Sequence, residues 1–252
     1  MNITPNEVFV CFAAKDRYSI AEPVVYHLKN YGIATWYDRH TLLMGDNRKE
    51  KNLDEGAAKC MYAVAIISKH TARSKCAMEE LSIIKARHTK KEVTVFPVLY
   101  ELLPNEVPSD LLWVKELIFK EVDRRSGTRE TCNHIACKIT KDLLDSCKWK
   151  NIQDIVANSP SKELPPTVYA ILSSYQKIDC ENLNSRVALL YSAYLTIISH
   201  STMIPQDYRT YMVKKIFERL FSETRLNLSI DYRELWLLEN SLCIFCDSYL
   251  AS

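Results

Sequence analysis

Residues 8–38 have the sequence VFVCFAAKDRYSIAEPVVYHLKNYGIATWYD, and this stretch decides the fold. The apolar run Glu7–Phe12 is rich in β-branched and aromatic residues, which predicts a buried strand. The polar loop Ala13–Tyr18 follows, and a helix then runs to Gly32, a residue suited to a left-handed helix end. A second strand-like run, Ile33–Tyr37, comes directly afterwards. The pattern is therefore strand, loop, helix, strand.

The start of that helix carries its own sequence signal. Ser19 and Glu22 have the spacing of a capping box, in which two backbone amides at the helix start gain side-chain partners. Pro23 falls in the first turn, where a missing amide hydrogen breaks no hydrogen bond. The sequence therefore predicts a helix with Ser19 as its N-cap.

The alternation of strands and helices continues to residue 148. Alternating elements imply parallel strands joined by right-handed crossovers, and strands that are apolar throughout are covered on both faces. We therefore predict a doubly wound α/β domain over residues 1–148, with a parallel sheet of about five strands. The remaining strands are predicted at Ala63–Ser68, Val93–Tyr100 and Leu117–Val122, and the remaining helices at Lys51–Cys60, Lys75–His88 and Asn133–Cys147.

The predicted topology also indicates where a ligand would bind. In open parallel sheets, ligands lie outside the carboxyl ends of the strands. Three predicted loops meet at that edge, namely Ala13–Tyr18, Asp38–Lys49 and Lys69–Lys75. We therefore expect a functional site among these loops.

The chain changes character in its second part. Residues 149–165 contain Ser, Asn and Pro in a pattern typical of a linker. No convincing strand follows, and residues 166–252 have helical apolar spacing, with Pro205 and Asp231 as helix-start residues. We predict an all-α domain of about four helices there. These helices are predicted at Pro166–Ile178, Asn182–Ser199, Gln206–Ser222 and Tyr232–Leu250.

The composition argues against several classes of function. The 252-residue chain has a formal net charge of +2 and no basic block, so nucleic acid is not an expected partner. No signal-peptide pattern and no apolar run of about eighteen residues is present, so we expect no membrane segment. Nine cysteines without a compact framework, an odd number, indicate free thiols and a cytoplasmic protein. Cys243 and Cys246 are interpreted as buried structural thiols, and no metal site is predicted.

Four motifs of the first domain, taken in order, resemble one known family. VFVCFAAKD (Val8–Asp16) is an apolar strand with a charged loop that ends in Asp. GIATWYDRHTLLMGD (Gly32–Asp46) combines a helix-ending Gly, a strand with an aromatic residue, an Asp, and a loop with Leu and Gly. SKHTARSKCAMEEL (Ser68–Leu81) places a Glu-Leu pair in the helix after the third strand, and VFPVLYELLPNEVP (Val95–Pro108) is a strand with a Pro-rich exit. Together these motifs resemble the TIR (Toll/interleukin-1 receptor) domain family.

The resemblance implies a flavodoxin-like fold and two alternative functions. Many animal TIR domains are non-enzymatic adaptors, whereas many plant and bacterial ones cleave NAD+ with one glutamate of the Glu-Leu segment, which matches Glu80 here. One carboxylate is chemically sufficient, because nicotinamide leaves as a neutral molecule and the barrier lies in positive charge at the ribose. Helical spacing alone does not decide whether Glu79 or Glu80 faces the site. The family register selects Glu80 as the catalytic residue.

The resemblance also implies a set of substrate-binding residues. For each of them a structural role, such as core packing, capping or solvation, is an open alternative. Cys76 stands where family enzymes often carry Trp, and Ala13–Lys15 lacks an arginine that many relatives carry, which leaves the pocket shape and the product open. The implied substrate-binding residues are Phe12, Ala13, Lys15, Trp36, Asp38, Arg39, Ser68 and Cys76.

Three functional hypotheses follow. The first is an NAD+ nucleosidase or ADP-ribosyl cyclase that uses NAD+ as substrate and needs no cofactor. For it the resemblance implies bacterial antiphage defence, homo-oligomers formed through TIR contacts, and a downstream effector that recognises the nucleotide product. The second is a signalling adaptor that acts by TIR–TIR self-association. The third is a deoxyribosyltransferase-like enzyme on a similar α/β scaffold.

Overall fold

The computed structural model describes residues 8–157, 164–200, 207–225 and 229–250. These residues group into two compact units. The first unit consists of residues 8–29 and 33–132, and the second consists of residues 30–32 and 133–250.

The first unit is built on a parallel sheet of five strands. The strand order is β2-β1-β3-β4-β5, and every neighbouring pair is parallel. This topology confirms the predicted doubly wound α/β fold. The strands are β1 (Val8–Cys11), β2 (Thr35–Trp36), β3 (Tyr62–Ile67), β4 (Thr94–Tyr100) and β5 (Lys120–Val122).

The helices that surround the sheet follow the predicted alternation. Lys49–Ala57 is a helix with π-type turns, close to the helix predicted from Lys51. Gly32 has a φ of +73°, as the predicted left-handed helix end requires. The α-helices of the first unit are α1 (Glu22–Asn30), the short α2 (Asp38–Thr41) and α3 (Lys75–Thr89), whereas α4 (Arg129–Leu144) belongs mostly to the second unit.

The predicted capping box at Ser19 is wrong. The helical turns begin earlier, with a π-type segment at Arg17–Ala21 that leads into α1. Ser19 lies inside these turns, where its hydroxyl donates to the carbonyl oxygen of Asp16, three residues back. The side chain is therefore used within the turn and does not cap its start.

The core of the first unit lies on both faces of the central strands. All six residues of β3 and all four of β1 are buried, as their apolar sequence predicts. Helix α3 packs on one face through Ala77, Leu81 and Ile84, which are almost fully buried. Ser74 caps α3 by accepting a hydrogen bond from the amide of Ala77. The cap and the packing fix the first turns of α3 at the carboxyl edge of the sheet.

The second unit is helical, as predicted. The structure also places a helix, α5 (Ile152–Ala157), inside the stretch interpreted as a linker. Asp231 begins the last helix as predicted, because its Oδ1 accepts the amide of Glu234 at 2.8 Å; Pro205 lies outside the described residues. Cys243 and Cys246 are fully buried free thiols. The remaining helices are α6 (Pro166–Tyr175), α7 (Leu183–His200), α8 (Tyr208–Arg225) and α9 (Tyr232–Leu250).

Aromatic and aliphatic side chains hold the helices of the second unit together. Tyr194 of α7 stacks on Phe217 of α8, with ring centroids 4.1 Å apart, and Phe245 of α9 lies 5.3 Å from the ring of Tyr194.

Among the helices that the structure describes, none combines the length and the apolar character needed to cross a membrane.

Candidate active site

A cavity of about 270 Å³ opens at the carboxyl edge of the sheet. Its walls come from β1, from the segments that follow the first three strands, and from the helix Lys49–Ala57 with the residue before it. This is the edge at which parallel sheets bind ligands. The lining residues are Val10, Phe12, Ala14, Arg17, Asp38, Leu42, Arg48, Asn52, Ser74, Cys76 and Glu80.

Glu80 is the buried carboxylate of this cavity. It lies in the second turn of α3, and only 6% of its surface is exposed. Asn52 donates from Nδ2 to Glu80 Oε1 at 2.6 Å, and Arg48 approaches the same oxygen with Nη2 at 3.4 Å. Burial raises the pKa of Glu80 to about 7, although the neighbouring Cys11 and Arg48 act in the opposite direction. Glu80 is thus a carboxylate whose charge is only partly compensated.

Glu79 occupies a different environment from its neighbour. Its side chain is 38% exposed and meets Arg48 Nη1 at 3.3 Å, and it does not line the cavity. Adjacent helical residues point about 100° apart, so only one of the pair can face inward. The structure places Glu80 in that position.

Arg17 and Asp38 form a paired wall on the other side of the cavity. Both guanidinium Nη atoms of Arg17 donate to the two carboxylate oxygens of Asp38, each at 2.8 Å. These hydrogen bonds raise the pKa of Arg17. The guanidinium also lies 5.2 Å from the centroid of the Phe12 ring. Asp38 thus neutralises the guanidinium of Arg17, and the aromatic ring of Phe12 lies beside that pair.

Four of the residues singled out in the sequence meet in this cavity. Phe12, Asp38, Cys76 and Glu80 all line it, although they come from three separate segments of the chain. Cys76 is exposed in the first turn of α3, and Phe12 is buried with its ring 5.7 Å from that of Tyr37. The resemblance thus selected residues that the fold brings together.

Two other selected residues do not line the cavity. Ala13 is buried and Lys15 is exposed, and neither belongs to the lining. The side chain of Arg39 lies outside the described residues.

Trp36 and Ser68 have structural partners near the cavity. Trp36 donates from Nε1 to Asn52 Oδ1 at 3.2 Å, so it touches a residue of the lining and not the cavity itself. Ser68 is buried at the end of β3, where its hydroxyl donates to Asp16 Oδ2 at 2.6 Å. The same hydroxyl oxygen accepts the amide of His70 at 2.9 Å, which ties the loop after β3 to the loop after β1.

The sequence reasoning missed Arg17, Arg48 and Asn52. Arg17 lies in the loop Ala13–Tyr18, which the predicted topology places at the carboxyl edge of the sheet, and this is the available signal for it. Arg48 lies in the predicted loop Asp38–Lys49, which meets the same edge, whereas no local pattern indicates that the helix Lys49–Ala57 brings Asn52 beside α3. Among the described residues, no group of His, Cys, Asp or Glu side chains could hold a metal ion.

Comparison with known proteins identifies the first unit. Residues 8–131 match the family model described as the TIR domain, so this part of the chain is a TIR domain. The NAD(+) hydrolase TcpA of Theionarchaea archaeon (strain DG-70-1) is 28% identical over 103 residues, which is 41% of this chain and 31% of that protein. The NAD(+) hydrolase TcpC of Escherichia coli O6:H1 is 29% identical over 107 residues, covering 42% of this chain and 34% of that protein.

A third relative carries the name of a different product. The 2′ cyclic ADP-D-ribose synthase AbTIR of Acinetobacter baumannii is 25% identical over 101 residues, which is 40% of this chain and 37% of that protein. The chain thus spans about a third of the length of the curated relatives that it matches. At the level of the family, these matches support NAD+ cleavage.

Proposed function

We propose that this protein cleaves the nicotinamide–ribose bond of NAD+, with Glu80 as the catalytic residue. The observation that carries the proposal is a buried, partly compensated carboxylate in a cavity at the carboxyl edge of a TIR domain. The names of the relatives, NAD(+) hydrolases and a cyclic ADP-ribose synthase, support the same substrate.

The chemistry needs little more than a fixed negative charge. The C1′–N bond breaks, its electron pair leaves with nicotinamide, and positive charge develops at the ribose. A preorganised carboxylate in a site of low dielectric stabilises that charge, and such contacts are typically worth about 10²–10³ in rate. Water that then attacks C1′ yields ADP-ribose and a proton, whereas a ribose hydroxyl of the same molecule yields a cyclic product.

The paired wall suits a cationic substrate. A free guanidinium beside the cavity would repel the pyridinium of NAD+, but the bidentate contact with Asp38 neutralises Arg17. The ring of Phe12 then offers an apolar face for the nicotinamide. Arg17 and Asp38 therefore bind and shape the nicotinamide end, and Glu80 acts at the ribose.

The size of the cavity limits what it holds. Sites for drug-sized ligands measure about 300–1,000 Å³, and this cavity measures about 270 Å³. It therefore accommodates the nicotinamide riboside end, and the adenosine half lies outside it. We propose that a second copy of the chain, associated through TIR contacts, covers the outer half.

The wider role that we propose is production of a nucleotide signal or depletion of NAD+ in bacterial antiphage defence. The protein would act in the cytoplasm, and a downstream effector would recognise the product. The alternative is a non-enzymatic TIR adaptor, in which the same cavity has no turnover.

Nicotinamide release from NAD+ tests the proposal. The purified full chain is incubated with NAD+ over a range of protein concentrations, and products are separated and identified by mass spectrometry. The wild type and the exposed-site control Glu116→Gln release nicotinamide, whereas Glu80→Gln loses at least about 10²-fold. Absence of turnover at every concentration favours the adaptor, and activity on deoxynucleosides alone favours a deoxyribosyltransferase.

A further inference from the structure

A chain of three side chains leads from the second strand to Glu80. Trp36 Nε1 donates to Asn52 Oδ1 at 3.2 Å, and Asn52 Nδ2 donates to Glu80 Oε1 at 2.6 Å. Asn52 is only 5% exposed, so water competes little for either contact. The Arg48 contact to the same oxygen is longer, at 3.4 Å, and the side chain of Arg48 is 38% exposed. Asn52 therefore makes the shorter of these two contacts to Oε1, and the buried Cys11 also faces the carboxylate.

The chemistry of the three groups fixes the direction of the two hydrogen bonds, from Trp36 through Asn52 to Glu80. An indole N–H can only donate, an ionised carboxylate can only accept, and an amide has one end of each kind. Because Trp36 occupies the amide oxygen of Asn52, the NH₂ end must face Glu80. The carboxylate, as an acceptor, itself disfavours the amide oxygen, and the indole N–H holds the amide in the same orientation from its other end.

A glycine makes room for the indole. A Cβ on Gly56 would lie 2.7 Å from Trp36 Nε1 and 2.9 Å from Phe9 Cε2, which is closer than real contacts allow. Its φ lies outside the left-handed region, so the glycine is required for space and not for backbone conformation. Gly56 lies four residues after Asn52 in the helix Lys49–Ala57, and hence one turn away on the same face. The gap lets the indole approach near enough to reach Asn52.

We propose that Asn52, oriented by Trp36, is a positioning residue that holds Glu80 Oε1 so that Oε2 is presented to the ribose. This inference rests on the proposed function of Glu80 and assigns to Trp36 an indirect role in place of direct substrate binding. The donor also favours the ionised carboxylate over the neutral acid. Gly56 takes part by permitting the approach of the indole.

Turnover of NAD+ by three single variants provides the first test. Asn52→Leu lowers kcat by about 10²-fold, because a misplacement of about 1 Å can cost that much. Trp36→Phe and Gly56→Ala each lower kcat by about tenfold, the value of one hydrogen bond. In all three, KM changes by less than about threefold, since the substrate contacts remain. Trp113→Phe, the same chemical change elsewhere in the same core, leaves kcat unchanged.

A double variant distinguishes a shared mechanism from general damage. Trp36→Phe and Gly56→Ala both remove the indole N–H from Asn52, so the combined variant loses no more kcat than either alone. The proposal is overturned if the fold-losses of kcat in the two single variants multiply in the double variant. It is also overturned if the kcat of Asn52→Leu equals that of Trp113→Phe.

A second readout does not depend on turnover. The change in the free energy of unfolding caused by Glu80→Gln is measured as a function of pH, once in the wild-type background and once in the Asn52→Leu background. The pH dependence of this change gives the apparent pKa of Glu80 in each background. Asn52→Leu moves this pKa upward, and Trp36→Phe moves it in the same direction by less. An unchanged pKa in both overturns the positioning role even where NAD+ is cleaved. If the pKa of Glu80 shifts but the protein releases no nicotinamide, the hydrogen-bonded series Trp36–Asn52–Glu80 is upheld. The proposed function is then refuted.

Discussion

Two carboxylate clusters, one in each unit, use similar side chains to different effect: Glu80 is buried, whereas the side chain of Glu239 is 26% exposed. Glu239 of α9 accepts hydrogen bonds from Arg186 at 2.9 Å and from the hydroxyl of Tyr175, and the guanidinium lies 4.3 Å from the centroid of the Tyr175 ring. Glu80 of α3 has an amide at 2.6 Å and a guanidinium only at 3.4 Å. The first carboxylate is closely paired with a cation, and the second is not.

Cavity size alone does not distinguish these clusters. The Glu239 cluster lines the larger cavity, about 440 Å³ against about 270 Å³ for that of Glu80. The difference lies in charge compensation, since a carboxylate fully paired within the protein is unavailable to a ligand. This difference supports the proposal that the Glu80 cluster serves chemistry, and we propose that the Glu239 cluster serves the stability of the helical unit.

The largest expected effect follows from moving each carboxylate by one methylene. Glu80→Asp keeps the charge but withdraws it by more than about 1 Å, and we expect the rate of nicotinamide release to fall about 10²-fold. Glu239→Asp leaves that rate within about twofold of the wild type, because neither Glu239 nor its partners line the TIR cavity. Single-turnover assays at saturating NAD+ measure both. Equal losses in the two variants would remove the distinction between the clusters.

The next effect concerns stability and has an unusual sign. The pKa of Glu80 is about 7 in the folded protein against 4.5 for the free residue, so ionisation of the folded state costs free energy as pH rises from 4.5 to 7. Glu80→Gln removes this cost and stabilises the protein at pH 8 by at most about 3 kcal/mol. The gain shrinks as pH falls through 7 and is gone near 4.5. Urea unfolding at several pH values measures it, and a destabilised variant at pH 8 would contradict it.

The helical cluster responds in the opposite direction. Glu239→Gln removes the negative charge from a network that holds Arg186 and Tyr175. Hydrogen bonds to charged groups contribute about 1.5–3 kcal/mol, so we expect a loss of about 2 kcal/mol in the free energy of unfolding at pH 8. The same urea titrations provide the comparison. A neutral result would mean that the pair contributes no net stability.

The smallest expected effect concerns how far Arg48 compensates the charge of Glu80. Arg48→Gln removes the guanidinium that lies 3.4 Å from Glu80 Oε1 and raises the pKa of that carboxyl. Because Arg48 is partly exposed, its contribution is about 0.7 kcal/mol, or about half a pH unit. The acid limb of kcat/KM for NAD+ should therefore move upward by that amount. A downward shift would show that Arg48 does not stabilise the ionised form.

The sequence was sufficient for the architecture because the architecture depends on local periodicity. The apolar runs of β1 and β3 and the apolar spacing of α3 indicated a parallel sheet without reference to any distant contact. The capping box at Ser19 failed for the converse reason. Two residues with suitable spacing do not reveal where the first helical turn begins.

The candidate site was only partly predictable. Glu80 came from the family register, since spacing alone could not separate it from Glu79. Arg17 and Asn52 act through partners 21 and 28 residues away, and such pairings depend on the folded geometry. The resemblance implies substrate binding by Trp36, but in the structure its indole N–H donates to Asn52. Long-range contacts of this kind leave no local sequence pattern.

The pH dependence of kcat/KM for NAD+ in the wild type tests the central claim most directly, because it reports the essential groups of the free enzyme. The account predicts that activity falls on acidification, with an apparent pKa of about 7 that belongs to Glu80. A profile that stays flat down to pH 5.5, well below that value, would contradict a buried carboxylate that acts in its ionised form.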